Sequence, residues 1–542
     1  MRLHKAYCFT LNENHRICDG FNPVRTNEEN VLARAVGIDL GTTYTAVACV
    51  DEYGKPMVIK NTDGQTTTPS AVFIDPPNYV VGEVALQSTM TDPGRVVQFI
   101  KRFMGVPDHR VQVSEQNYSP EFVSSIILRK VVQEAEEALG ERVTQAVITV
   151  PAYFTESQRH ATYEAGALAG LNVLRIINEP TAAALAYGIS RRGRPRNILV
   201  YDLGGGTFDV TVLAIDNDSL NVIAIGGDPH LGGKDWDDRI MNFIEDELRE
   251  KFGYELEPDP ALEAELRLKA EAAKRQLTGR PTVPITFKAK RSLSTGTGSM
   301  DTYIPVRVEL NREKFEEISS DLLARTELLL ENVLNQAKIG WDDISETLCV
   351  GGSSRMPMVR EMLTRLSGRR PLLHDPDECI AKGAALQAAL LVKDETVEEV
   401  NVGHVLAHSL GVATVKNGKT IIDHIIPALT PLPCSQTRGG YTTTMDGQEK
   451  VQVRIYEGES GDPDSYPTGP IGIFNLDTRP PRPAGRPNIA VEFRCDENGR
   501  IIAVARDGDT GRESRVMISL AGERGDNEVE EEAFLLSQAI IS

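Results

Sequence analysis

The chain is poor in positive charge, in paired cysteines and in long apolar runs. Its 542 residues carry 58 Lys and Arg against 78 Asp and Glu, a formal net charge of −20. Phosphate backbones are bound by Lys and Arg, so this balance argues against nucleic acid as a partner. An acid surplus of this kind is ordinarily a matter of solubility. Seven cysteines, Cys8, Cys18, Cys49, Cys349, Cys379, Cys434 and Cys495, are odd in number and never spaced as Cys-x-x-Cys. That argues against a disulfide framework and a zinc site, and fits reduced thiols in a cytoplasmic protein. No apolar run approaches the ~18 residues that cross a membrane. Residues 1–33, polar and mixed, lack the apolar core of ~7–15 residues that a signal peptide needs. They read as a disordered extension, and their His4, Cys8, His15 and Cys18 as something other than a metal site.

Hydrophobic residues at 41% and charged residues at 25% describe an ordinary globular chain long enough for several domains. The run NILVYDLGGGTFD, residues 197–209, organises it. An apolar strand ends at Asp202, three glycines follow, and a second apolar run begins at Val210. Glycine lets backbone approach a ligand closely, and consecutive N–H groups in such a turn form an anion-binding concavity. An Asp beside that concavity makes sense with a divalent cation between the two. The pattern therefore points to a magnesium–nucleotide site. VGIDLGTT, residues 36–43, repeats it, with Asp39 at the strand end. Two such hairpins imply two related lobes that present phosphate loops to one cleft.

In order along the chain, GIDLGTT, VYDLGGGTFDV, PAYFTESQR, INEPTAAALAYG and VGGSSRMP resemble the DnaK-type heat-shock chaperones of the actin-like ATPase superfamily. The resemblance runs from about Ala35 to about Gly522.

The pattern of elements fits. Up to Val400 strands alternate with helices, as in an α/β architecture. Helices are expected over residues 121–139, 158–169, 180–187, 235–252, 260–276, 315–338 and 379–393, and strands over 143–150, 173–177 and 348–350. From about residue 405 short alternating runs separated by turn residues predict an all-β domain, with strands at 451–456, 471–476, 489–493, 501–505 and 514–520. The Asn498-Gly499 turn is a landmark there. The expected division is an extension over 1–33, an actin-like two-lobed ATPase domain over 34–400, a linker over 401–404, a peptide-binding β-sandwich over 405–522 and a tail over 523–542. Residues 528–541 read as one amphipathic helix, and the family's helical lid is absent.

The resemblance also assigns roles. Gly41, Thr42 and Thr43, with Gly204, Gly205, Gly206 and Thr207, would cradle the phosphates of ATP or ADP. Asp39 and Asp202 match the acids around a hydrated Mg2+, acting mostly through its waters. Lys101, in VQFIKRFMG, matches the lysine that reaches the γ-phosphate, and Glu179 the acid that places the attacking water. Asp202 and Thr207 complete the catalytic set. Glu-Pro at 179–180 also suits a strand end and helix start on its own. Asp209 matches a position near the metal, or caps the turn. Gly351, Gly352, Ser353 and Arg355 match the adenosine loop, Glu271, Lys274 and Arg275 the helix beside ribose and base, and Asp377 a position near the base. Spacing alone makes Glu271 and Lys274 an ordinary helix-face pair. Pro151 and Arg159 match positions that relay nucleotide state to the second domain, and Arg175 one near the co-chaperone surface.

Two departures stand out. Lys234 replaces an acid in Gly232-Gly-Lys-Asp235; there it either strengthens phosphate contact or faces water, the second being the favoured reading. The linker reads Asn401-Val-Gly-His404 where the family has a run of Leu followed by Asp. Each lost Leu would forgo ~1.5–3 kcal/mol of burial, against a typical allosteric coupling of ~1–3 kcal/mol. Coupling is therefore weakened or rebuilt on other contacts. The expected function is an ATP-dependent chaperone for extended hydrophobic segments of unfolded proteins, with a J-domain co-chaperone and a nucleotide-exchange factor as further partners and no membrane or nucleic acid. The alternative is a specialised regulatory or binding protein with a weakly coupled ATPase site.

Overall fold

A computed structural model describes residues 34–189, 195–216, 219–252, 259–295, 298–466, 468–497, 499–518 and 526–542. The extension over 1–33 and Asn498 of the expected turn lie outside the described residues.

Two six-stranded sheets share one plan. In the first, hairpin 34–40/44–50 is antiparallel, and Arg34–Leu40 also pairs in parallel with Val143–Val150. In the second, hairpin 196–203/208–215 is antiparallel, and Arg196–Leu203 pairs in parallel with Ile344–Val350. Both central strands are continuous apolar runs because helices cover them. Helices Glu179–Ile189 and Cys379–Leu391 pass between the sheets, and their Ala-rich faces let backbones touch. A Cβ on Gly383 would lie 1.8 Å from the Ala182 carbonyl oxygen. Each lobe has its own core, and a third cluster, with Val147, Ile177, Val200 and Val350, joins them.

Strands between residues 410 and 518 form two four-stranded antiparallel sheets packed face to face around Phe493, Leu476 and Ile501. A long ribbon, Thr282–Thr295 with Gly298–Asn311, buries Val283, Ile285, Phe287 and Ala289 in alternation against the second lobe.

Two expectations change, the helix over 315–338 and the helical reach of the tail, and the linker takes a definite form. The helix expected over 315–338 is two, Arg312–Ile318 and Ser320–Ala337; Ser319 leaves the helical conformation and its hydroxyl donates to the Phe315 carbonyl. The linker is ordered: Asn401–Gly403 adds as a parallel strand to Ser219–Asn221 at the edge of the second sheet. A main-chain ladder needs no Leu, and the apolar contact has moved along the chain to Val402 and Val405, both packed on the inter-sheet cluster. The tail is a helix only over Asp526–Gln538; Ile540–Ile541 leaves it to pair with Asn78–Tyr79 in the first lobe.

Candidate functional site

The two hairpins place their turns against each other across a cleft of ≈ 670 Å³. A Cβ on Gly205 would lie 1.9 Å from Thr43 Oγ1, and one on Gly206 2.4 Å from Thr42 Cγ2, so only glycine permits this approach of the loops. Ser70 braces the first loop, its hydroxyl donating to the Gly41 carbonyl at 2.8 Å. Ser353 braces the second, donating to the Gly204 carbonyl at 2.9 Å.

The cleft brings together Asp39, Gly41, Thr42, Thr43, Lys101, Glu179, Asp202, Gly204, Gly205 and Thr207 at one end. Gly206 stands behind its loop and does not line the cleft. Glu271, Lys274, Arg275, Gly351, Gly352, Ser353, Arg355 and Asp377 line the other end. Lys101 sits on the short turn Ile100–Phe103 and is 3% exposed; its ammonium donates to Glu179 at 2.5 Å. Asp39 accepts from the Thr149 hydroxyl at 3.1 Å. Asp209 is the strand partner of Asp202, not a turn cap, and accepts the Tyr153 N–H at 3.1 Å.

Glu179, Asp202 and Asp209 are buried and Asp39 is half-buried, and all four gather about Lys101. Burial, followed by the charge of Glu179, pushes Asp39 up to about 7 and Asp209 up to about 8. The same causes push Asp202 well above the usual carboxylate range. Asp202 Oδ2, Thr43 Oγ1 and Asp237 Oδ1 are buried without a hydrogen-bond partner. Such an arrangement lacks positive charge and donors, and both are what a hydrated divalent cation and a nucleotide bring. Among the described residues no group of three or more His, Cys, Asp or Glu is placed to hold a metal directly.

At this end the helix-face pair that spacing alone offers does not form: Lys274 is buried and donates to Asp237 and to the Gly233 carbonyl, both at 2.8 Å. Glu271 faces Arg275 at 3.6 Å instead. Arg355 and Asp377 pair with each other at 2.5 Å, each about half exposed. Lys234 does not simply face water. It lines the cleft, pairs with Asp238 at 2.6 Å and lies 5.8 Å from the Phe99 ring centre in the opposite lobe.

Several cross-cleft contacts escaped sequence reasoning. Tyr44 donates to Glu271 and accepts from Arg275, both at 3.3 Å, and Arg102 donates to the Gly206 carbonyl at 3.0 Å and to Asp235 at 2.6 Å. Arg102 lies within the quoted VQFIKRFMG, directly after Lys101, and Tyr44 directly follows VGIDLGTT. Adjacency was the available signal.

The sandwich meets the first lobe beside the cleft. Glu457 accepts the Glu156 N–H at 3.0 Å, His408 Nε2 lies 3.0 Å from the Tyr153 carbonyl oxygen, and Arg175 faces Glu497 at 3.6 Å. Arg159 donates to Asn178 at 2.6 Å, directly before Glu179. Two residues therefore separate the interface at Glu156 from an arginine that touches the strand leading to Glu179.

The family model described as Hsp70 protein matches residues 35–113 and 106–539. The chain is 39% identical over 488 residues to a chaperone protein DnaK of Thermosipho melanesiensis, covering 89% of this chain and 80% of that relative.

Proposed function

The chain belongs to the Hsp70 protein family, and we propose that ATP hydrolysis in the cleft between its lobes controls peptide binding on its sandwich. As a member of that family it binds ATP and ADP, hydrolyses ATP and is an ATP-dependent chaperone. The observation that carries the assignment to this cleft is the buried Lys101–Glu179 pair, set beside two glycine turns in contact.

In this reading the N–H groups of Gly41–Thr43 and Gly204–Thr207 receive the phosphates. Lys101 donates to the γ-phosphate side, and Glu179 orients the attacking water. Asp39 and Asp202 would hold Mg2+ through its waters, with Asp209 supporting them from the next strand, and the bound ion would offset the negative charge of the phosphates. Arg355, Arg275 and Glu271 bracket the adenosine, with the Arg355–Asp377 pair opening to admit the base. Extended apolar segments of unfolded polypeptides bind the sandwich, as strand-adding ligands do. A J-domain co-chaperone and a nucleotide-exchange factor are the further partners. Coupling runs through the strand Asn401–Gly403 and the Glu156–Glu457 contact, which supports a rebuilt switch over a lost one.

Lys101→Ala tests the chemistry. Hydrolysis falls to the background rate in a single-turnover assay, while ADP affinity stays within a few-fold. Turnover within threefold of the parent removes Lys101 from the reaction.

A further inference from the structure

After the sandwich the chain returns to the first lobe. Residues 540–541 extend a sheet in which Asn78–Val81 is otherwise paired on one side only, with Val72–Asp75. The Ile540 N–H donates to the Pro77 carbonyl at 2.9 Å, and the Ser542 N–H to the Tyr79 carbonyl at 3.0 Å. The Val81 N–H donates back to the Ser542 carbonyl at 2.9 Å. Without this segment those three groups of the first lobe form an open strand edge, which is a template for another chain.

Side chains add to the ladder. Leu536 is 2% exposed and belongs to the same apolar cluster as Tyr79, Val81 and Phe122. Arg129 donates to the Leu536 carbonyl at 2.7 Å, a second donor to a helix-end acceptor that also receives the Ala539 N–H at 3.2 Å. Arg110 pairs with Glu528 at 2.5 Å, so a basic rim of the lobe meets an acidic helix.

We infer that the outer edge of Asn78–Val81, with the slot filled by Leu536, is a peptide-docking site of the first lobe whose occupant is residues 526–542 of the same chain, and that its occupation holds the sandwich against the nucleotide-binding lobes. The segment is joined to the last sandwich strand by residues 519–525 alone. Its docking is therefore intramolecular, with an effective concentration in the ~mM range for a short connection. Release of the segment and undocking of the sandwich are then linked in both directions. The inference stands on this ladder and holds whatever the sandwich binds.

The test is Ile540→Pro in the full chain. The substitution removes one donor, and the Ile540 side chain is 60% exposed, so no buried packing is lost. Hydrogen exchange of the Val81 amide and of the 401–403 amides is then compared with the parent. At least tenfold faster exchange at both places is expected. Leu536→Asp, which puts a charge in the apolar slot, gives the same result. A fluorescein-labelled peptide of residues 526–542 binds the Ile540→Pro chain and restores Val81 protection; the same peptide carrying Leu536→Asp does not. Unchanged Val81 exchange in both variants overturns the site. Faster exchange at Val81 with no change at 401–403 overturns the claim that the segment holds the sandwich. Protection in the parent that fades on dilution makes the occupant a second copy and overturns the intramolecular assignment.

Discussion

Gly206→Ala separates the geometry of the cleft from its composition. The glycine does not have a positive φ, so alanine is permitted by the backbone and the effect is one of space. The added Cβ would meet Thr42 at three atoms: Cγ2 at 2.4 Å, Oγ1 at 2.7 Å and Cβ at 2.8 Å. Rotating the Thr42 side chain clears only the first two, because its Cβ stays. Ordinary carbon contacts begin near ~3.5 Å, so the loops must part by roughly 0.7 Å or more along this line. Misplacement of about 1 Å costs on the order of 10²-fold in rate, or ~2.7 kcal/mol of barrier. Single-turnover hydrolysis of the variant should therefore fall about a hundredfold by that relation. Nucleotide affinity, read by a fluorescent ADP analogue, should change less, because the far end of the cleft is untouched. Gly279→Ala is the control, since a Cβ there meets nothing within 4 Å. Hydrolysis by Gly206→Ala within threefold of the parent would refute the claim that contact between the loops sets the reacting geometry.

Burial, and then the charges of Arg175 and Arg159, push His404 down to about 4. A depressed histidine favours the docked linker fully above the free value of ~6.5, and that preference is lost as pH falls from there towards 4. The half-buried pair Glu156 and Glu457 works the other way, because desolvation raises both. His404→Gln isolates the histidine: the parent-minus-variant difference in linker exchange should grow by about 1.4 kcal/mol per pH unit below ~6.5, and a pH-independent difference would remove His404 from the switch. Gly383→Val drives a side chain into the Ala182 backbone and should cost about 3 kcal/mol in denaturant unfolding, at the upper end for overpacking; a loss under 1 kcal/mol would mean the helices have room to part.

Most of the site was legible because its signals are local. A strand end, an Asp and a glycine turn are neighbours in sequence, and both hairpins carry them. The ribbon Thr282–Asn311 went unread, although Val283, Ile285, Phe287 and Ala289 alternate along it. Partners were not legible where the choice lies between equivalent charges. Helix spacing offers Lys274 to Glu271, and only the fold brings Asp237 and the Gly233 carbonyl closer. The pairing of the linker was not legible because its main chain makes it, and from the sequence only the side chains of Asn401-Val-Gly-His404 can be weighed. The strand at Ile540–Ile541 depends on an edge at Asn78–Val81 that is distant in sequence, and its apolar residues also suit the end of an amphipathic helix.

The central claim is that hydrolysis in the cleft and peptide binding on the sandwich are one coupled process. Steady-state ATP hydrolysis with and without a saturating extended apolar peptide tests it most directly. A slow basal rate raised several-fold by the peptide is the predicted result. A rate indifferent to a peptide shown to be bound would contradict the coupling and leave two independent activities on one chain.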